Sequence, residues 1–491
     1  AIKPGSLDHS EVWKRITSTD AEEMMPPPES NKQLTDREKE RLKRWIEQGA
    51  EYQAHWALVP PRKHLPSEGA PATANDQQNP IDRFIDARLK KNGLTSSPAA
   101  DRTTLIRRVT LDLTGVPPTP SHLDAFLNDK SPGAYERLVD RLLSTRDYAE
   151  RRAQDWLDLA RYADTRGFAD DKMRQIWPYR DWVVRALHSN MPFDQFTIEQ
   201  LAGDMLPNAT AEQRLATGFH RNAPQAKGMT YPVEEYRIKG VTDRVNTTGK
   251  VWLGLTMECA ECHDHKFDPI SQRDYFSMFA LFNNTKHQGK GFKQGGPTMP
   301  YVLPQKGQGK GKTVQVPVME ELAQARETFI HLRGNFRSRG DQVSPGAPEV
   351  LVADGNAQPK NRLEFARWLV DGKNPLVARV VVNRFWQSYF GNGLVRTPDD
   401  FGSQGALPSH PELLDWLATE FVRSGWDMKH INRLIVTSAS YRQSARITTP
   451  SAEKDPSQRL LAQMPRVRLP AEQIRDQALA ISGLLKPSTG G

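Results

Sequence analysis

Met257-Glu258-Cys259-Ala260-Glu261-Cys262-His263-Asp264-His265-Lys266 holds the spacing C-x-x-C-H, the attachment signature of a c-type haem. Two thiols three positions apart on one turn can add to the two vinyl groups of the macrocycle. The adjacent histidine, His263, then lies under the iron as proximal ligand. Cys259 and Cys262 are the only cysteines in the chain, so no other thiol is left to oxidise or mispair. Three other readings stay open. The pair could be a redox dithiol, although that motif normally opens a helix after a strand in a small βαβ domain. It could be part of a zinc site with His263 and His265, or two buried cysteines without a role.

Outward from the motif, 491 residues suffice for two to four domains with real cores. The formal charge of +8 is spread along the chain rather than gathered in a tail. With no helix-turn-helix, zinc-finger or RNA-binding signature, nucleic acid is not expected as a partner, and the basicity reads as a solvated surface suited to an anionic one. The 36 prolines and 33 glycines point to long ordered loops. No apolar run approaches the ~18 residues of a membrane span. The opening Ala1-Ile2-Lys3-Pro4-Gly5 reads as a position inside a larger protein. Haem c is attached outside the cytoplasmic membrane, so an export signal is expected upstream, and the protein periplasmic or extracellular.

The pattern is mainly α, in multi-helix domains with a small β insertion between two large helical blocks. Residues 1–56 read as a small helical piece, with Asp8 capping a helix through Ile16 and Thr35 capping a second over Asp36–Gln48. Met25 precedes Pro26-Pro27-Pro28 and must sit on an extended loop. Residues 57–79 read as a linker. The block 80–290 carries helices near 81–89, 101–114, 121–128, 133–144, 148–163 and 178–188, with Trp156, Trp177 and Trp182 as core candidates. A Gly- and Lys-rich stretch near 289–313 reads as an exposed loop. Within the insertion 291–352, strands are expected at 313–318, 329–333 and around Val343. A second helical block fills 353–491.

Several unrelated stretches share one resemblance. The Met25-Pro26-Pro27-Pro28 loop resembles the closing half of the planctomycete-type cytochrome c domain. Leu105–Pro120, Trp156–Thr165, Tyr179–Trp182, Asp243–Gly249 and Asp264-His265-Lys266 resemble a domain of unknown function that follows it. Val382–Gly391, Thr397–Gly402 and His410–Ala418 resemble the third module of the same multidomain proteins. The resemblance implies Met25 as axial ligand of a first haem c, whose own C-x-x-C-H is not in this chain. It also implies that the third module continues past Gly491.

Around the motif haem, His220 is the candidate distal ligand, with Met229, Tyr231 and Met257 behind it. His220, Arg221, Asp264 and His265 are the candidate catalytic residues. Lys266 and Arg244 are candidate cofactor-binding residues, placed to pair with haem propionates, and Asp243 and Asp164 are further polar candidates. Each could equally be an ordinary structural histidine or a surface ion pair. The expected function is an exported haem enzyme that oxidises an organic substrate. Carbohydrate is the class the resemblance implies, with electrons leaving through a cytochrome module. The competing expectation is a non-catalytic electron-transfer or structural component of a larger assembly, served by partner cytochromes.

Overall fold

The computed structural model describes residues 2–51, 54–64, 79–165, 167, 171–223, 233–286, 296–303, 312–352, 357–447, 449–486 and 488. Its elements are helices plus two antiparallel two-stranded sheets, the mainly α class with a small β insertion that the pattern dictates. Two compact units separate, Ala1–Val59 and Pro60–Gly491.

In the first unit the helix Asp36–Glu47 begins where the sequence demands. Thr35 accepts from the Glu38 amide, and the Glu38 carboxylate reaches back to the Thr35 amide, closing a capping box. The helix Glu11–Thr17 starts at Ser10 rather than Asp8, because the Ser10 hydroxyl is spent on the carbonyls of Ser6 and Lys3 and turns the chain there.

In the second unit the expected helices form as Pro80–Lys91, Arg102–Thr114, Pro120–Asn128, Ala134–Leu143, Arg146–Leu159 and Trp177–His188. Helices Phe193–Ala202, Ala211–Ala216, Val233–Thr248 and Gln272–Asn283 add to them. Helix Arg146–Leu159 stops four residues before the periodicity suggests. Arg161 takes the left-handed conformation at φ 56°. Its amide bonds to the Asp158 carbonyl, and that of Tyr162 to the Leu157 carbonyl. This is a Schellman stop with an arginine where glycine is usual. The Trp156 ring meets Phe193, Phe196, Phe219 and Trp252 at centroid distances of 4.9–6.1 Å. Trp182 stacks on Phe196, so both join the core, while Trp177 is only half-buried. The polar ends are satisfied inside: Trp156 Nε1 and the Tyr179 hydroxyl both donate to Gln200 Oε1.

The insertion pairs Thr298–Val302 with Thr313–Pro317, and Thr328–His331 with Arg339–Val343. Strand Thr298–Val302 lies inside the stretch read as exposed loop. Pro300 and flanking glycines disguise its alternation, and a two-stranded sheet tolerates the proline because every strand is an edge.

The third-module stretch packs directly on the helical block. The Phe401 amide bonds the Gly254 carbonyl, and Arg384 donates to the carbonyls of Val251 and Lys250. His410, just ahead of helix Pro411–Arg423, is buried, with only Ser409 Oγ on its Nδ1. Burial, then the charges of Arg88 and Arg459, push its imidazole down to about 3. An unfolded histidine titrates near ~6.5. Between those values the unfolded chain binds a proton that the folded chain refuses, so stability falls as pH drops below ~6.5, by up to about 1.4 kcal/mol per pH unit. The urea midpoint of His410→Asn should therefore fall less than that of the parent between pH 7 and pH 4.

Candidate haem-attachment site

The π-helical turn Gly249–Leu253 ends the long helix Val233–Thr248, and a short 3₁₀ turn, Glu258–Glu261, carries the motif. The amides of Cys262 and His263 both point at the Cys259 carbonyl, at 3.2 and 3.4 Å, so the motif closes on itself as a single turn. Cys259, Cys262 and His263 are exposed, and both thiols are free. His263 Nδ1 lies 2.7 Å from the Asp264 carbonyl, which makes it the donor and leaves the lone pair on Nε2. A metal-ligating histidine needs this arrangement, with the outer nitrogen anchored to backbone and the inner one open. Two accessible thiols beside an imidazole so oriented fit a covalently held haem.

The sheet insertion forms one wall of this site. After strand Thr328–His331 the chain turns through Leu332–Gly334, with Gly334 at φ 72°. A Cβ on Gly334 would stand 2.9 Å from the Cys262 sulfur. The turn is held by Gln272, whose side-chain amide donates to the carbonyls of Glu261 and His331. Gly334→Ala would meet both the left-handed strain and the sulfur. It is expected to cost about 1–3 kcal/mol and to lower the fraction of chain carrying covalent haem, read from the haem-to-protein absorbance ratio. Leu332, on the turn, and Phe267, beyond the motif, are half-exposed apolar side chains.

The other candidates divide into those near the motif and those distant from it. Asp264 accepts from the Gln272 amide, holding the first turn of helix Gln272–Asn283. His265 is turned inward: its Nδ1 accepts from the Asp268 amide at 2.9 Å, and the Asp268 carboxylate lies at 3.5 Å. Asp268 in turn accepts from the Ser403 amide and presses on Gly402, where no Cβ has room. His265 therefore fastens the motif loop, through Asp268, to Gly402 and Ser403. Among the described residues, no three His, Cys, Asp or Glu side chains converge as metal ligands, so the zinc alternative has no preformed set. Lys266 is exposed over the Phe267 ring. Met257 is fully buried against Gly249.

His220 lies elsewhere. Its ring contacts Phe282, near the far end of helix Gln272–Asn283 from the motif. Ten residues of helix separate Gln272 from Phe282, about 15 Å of rise. Arg244 bonds Thr285 at that same far end. Among the described residues no hydrogen bond, ion pair or ring contact joins His220 or Arg244 to the motif turn. Arg221 donates to the carbonyls of Pro297 and Val318 and ties the first sheet to the helices. Asp243 pairs with Arg161, and Asp164 accepts from the Tyr162 hydroxyl. Met25 is half-exposed on its loop in the first unit. Met229 and Tyr231 lie outside the described residues. The Gly334 turn and the left-handed Arg161 were not foreseen. A glycine within Leu332–Asn335 was the only local signal for the first.

Three family models match the chain: a planctomycete cytochrome C family at residues 1–29, a protein of unknown function (DUF1549) at 80–287, and a protein of unknown function (DUF1553) at 361–491. Their order and content match a planctomycete-type multidomain cytochrome c protein. No curated protein and no solved structure matches it. The cytochrome C match suggests a haem c protein, and the motif turn falls inside the DUF1549 match. No helix of the described residues is long and apolar enough to cross a membrane.

Proposed function

We propose that this chain is an exported haem c redox protein. In this reading Cys259 and Cys262 hold the macrocycle through two thioethers, with His263 as proximal ligand. The activity proposed is oxidation of an organic substrate, with carbohydrate the first class to test, and electrons passing to a cytochrome module or partner cytochromes. The observation that carries the reading is the exposed turn on which two free thiols flank an imidazole whose Nδ1 is already committed to the Asp264 carbonyl. When bound, the haem would supply one-electron exchange at its iron. The chain's own part is to fix the imidazole tautomer through Asp264, to hold the loop through His265 and Asp268, and to wall the Cys262 side with the Leu332–Gly334 turn.

The test is a visible spectrum of the native protein, oxidised and reduced, with a pyridine haemochrome assay. A c-type spectrum with a high-spin band that moves on adding cyanide or carbon monoxide is the expected result, followed by reduction of the iron by sugars. A low-spin spectrum indifferent to both ligands would make the protein an electron relay. No haem absorbance would overturn the reading.

A further inference from the structure

A second polar site is built from three segments distant in sequence. Arg161 comes from the left-handed stop after helix Arg146–Leu159, His220 from the 3₁₀ turn Thr217–Arg221, and Asp243 and Arg244 from helix Val233–Thr248. His220 is only 1% exposed, and neither ring nitrogen has a hydrogen-bond partner among the described residues. Burial, then the charges of Arg244, Arg161 and Arg362, hold its imidazole well below the usual histidine range. It is therefore neutral, with one N–H and one lone pair to offer.

The groups around it are similarly unfinished. Arg161 pairs through Nη1 with Asp243 Oδ1, yet its buried Nε and Nη2, and Asp243 Oδ2, have no partner among the described residues. Arg244 is 7% exposed, donates through Nη1 to Thr285 Oγ1 at 2.7 Å, and leaves Nε unmatched. No carboxylate forms an ion pair with it among the described residues. The contrast is Arg362, equally buried but neutralised by Asp204 and Glu321. Burial, with Arg221 and Arg362 nearby, draws the Arg244 guanidinium down to about 9.

A buried guanidinium without an ion-pair contact, and buried donors without acceptors, are each costly in a folded protein. Native structures keep few of them, and six of those found among the described residues fall on these four side chains. The left-handed backbone at Arg161 adds strain of about 1–3 kcal/mol in the service of the same side chain. The formal charges sum to one excess positive, from two guanidiniums and one carboxylate, around a neutral imidazole.

We propose that Arg161, His220, Asp243 and Arg244 form a binding site for a small oxyanion-bearing ligand. Its carboxylate, sulfate or phosphate group would be taken by Arg244 and the open edge of Arg161. A neighbouring hydroxyl would be held between Asp243 Oδ2 and His220. The site does not depend on the redox reading, because occupancy can be measured without turnover.

The test is calorimetric titration and thermal unfolding of the full haem-loaded chain with glucuronate, inorganic sulfate and inorganic phosphate, at constant ionic strength in chloride. At least one of the three should bind saturably and raise Tm, and the ranking identifies the oxyanion. Arg244→Met should weaken that binding about 10- to 150-fold, the loss of a charged hydrogen-bonding partner. Without ligand it should unfold at the same temperature as the parent or higher, since it removes an unpaired buried charge. Arg161→Gln should also weaken binding, and it carries the test alone should Arg244→Met fail to fold. Arg44→Gln, in the exposed pair with Glu40 of the first unit, should change nothing. The proposal is overturned if no anion acts beyond chloride, or if Arg244→Met and Arg161→Gln both titrate like the parent. Binding confined to haem-free protein would also overturn it, because a haem propionate would then fill the site.

Discussion

Replacing Cys259 and Cys262 together by serine should leave a folded protein from which all haem is removed by acid-acetone extraction. A hydroxyl does not form the thioether, so any macrocycle retained is held only by His263 and packing. Each single substitution should leave one thioether, with a haemochrome band between those of unattached and doubly attached haem. The effect on the cofactor is all-or-none, while the effect on the fold is small. Both sulfurs are exposed and contribute nothing to the core, and such surface changes usually stay within about 0.5 kcal/mol. Far-ultraviolet dichroism and the haemochrome assay on the same samples separate the two. Haem that stays with the double variant through extraction would refute the assignment of Cys259 and Cys262.

The largest expected loss of stability lies at Arg362. Its fully buried guanidinium donates to both oxygens of Asp204 at 3.0 and 2.7 Å, to Glu321, and to the Leu201 carbonyl at 2.7 Å. Those two carboxylates and the surrounding burial act in opposite directions on its charge, and the carboxylates win, holding it above the ordinary arginine range. Arg362→Ala strands two acids in the interior and should cost about 3–5 kcal/mol in urea unfolding. The triple change Arg362→Met, Asp204→Asn, Glu321→Gln removes all three charges at once and should recover most of that loss. A triple variant no more stable than Arg362→Ala would place the cost in lost packing rather than in unpaired charge.

What was legible in the sequence follows the range of the interaction concerned. The motif turn depends on five consecutive residues, and the helix starts on caps such as Thr35 and Asp101, each accepting from the amide three positions on. Local spacing fixes both. The buried Arg161–His220–Arg244 site draws on segments 59 and 24 positions apart (161 to 220, 220 to 244), and no period marks it. His265 stood as a catalytic candidate because it lies two residues from His263. Its fate was settled by the Asp268 amide and, through Asp268, by Ser403, 135 positions beyond. The strand Thr298–Val302 was hidden by its proline, and the Gly334 turn acquires its meaning only from the sulfur beside it.

The seam between the two helical stretches of the second unit bears on heredity. Asp268 seats the Ser403 amide, Arg384 caps the carbonyls of Val251 and Lys250, and Arg362 carries its charge to Asp204 across 158 positions. A gene encoding residues 80–287 alone would open to water the face that Arg362 and Arg384 cover, and a gene encoding 361–491 alone would open the matching one. Each half by itself should be less stable than the two together, so their coding stretches should travel through genomes as one.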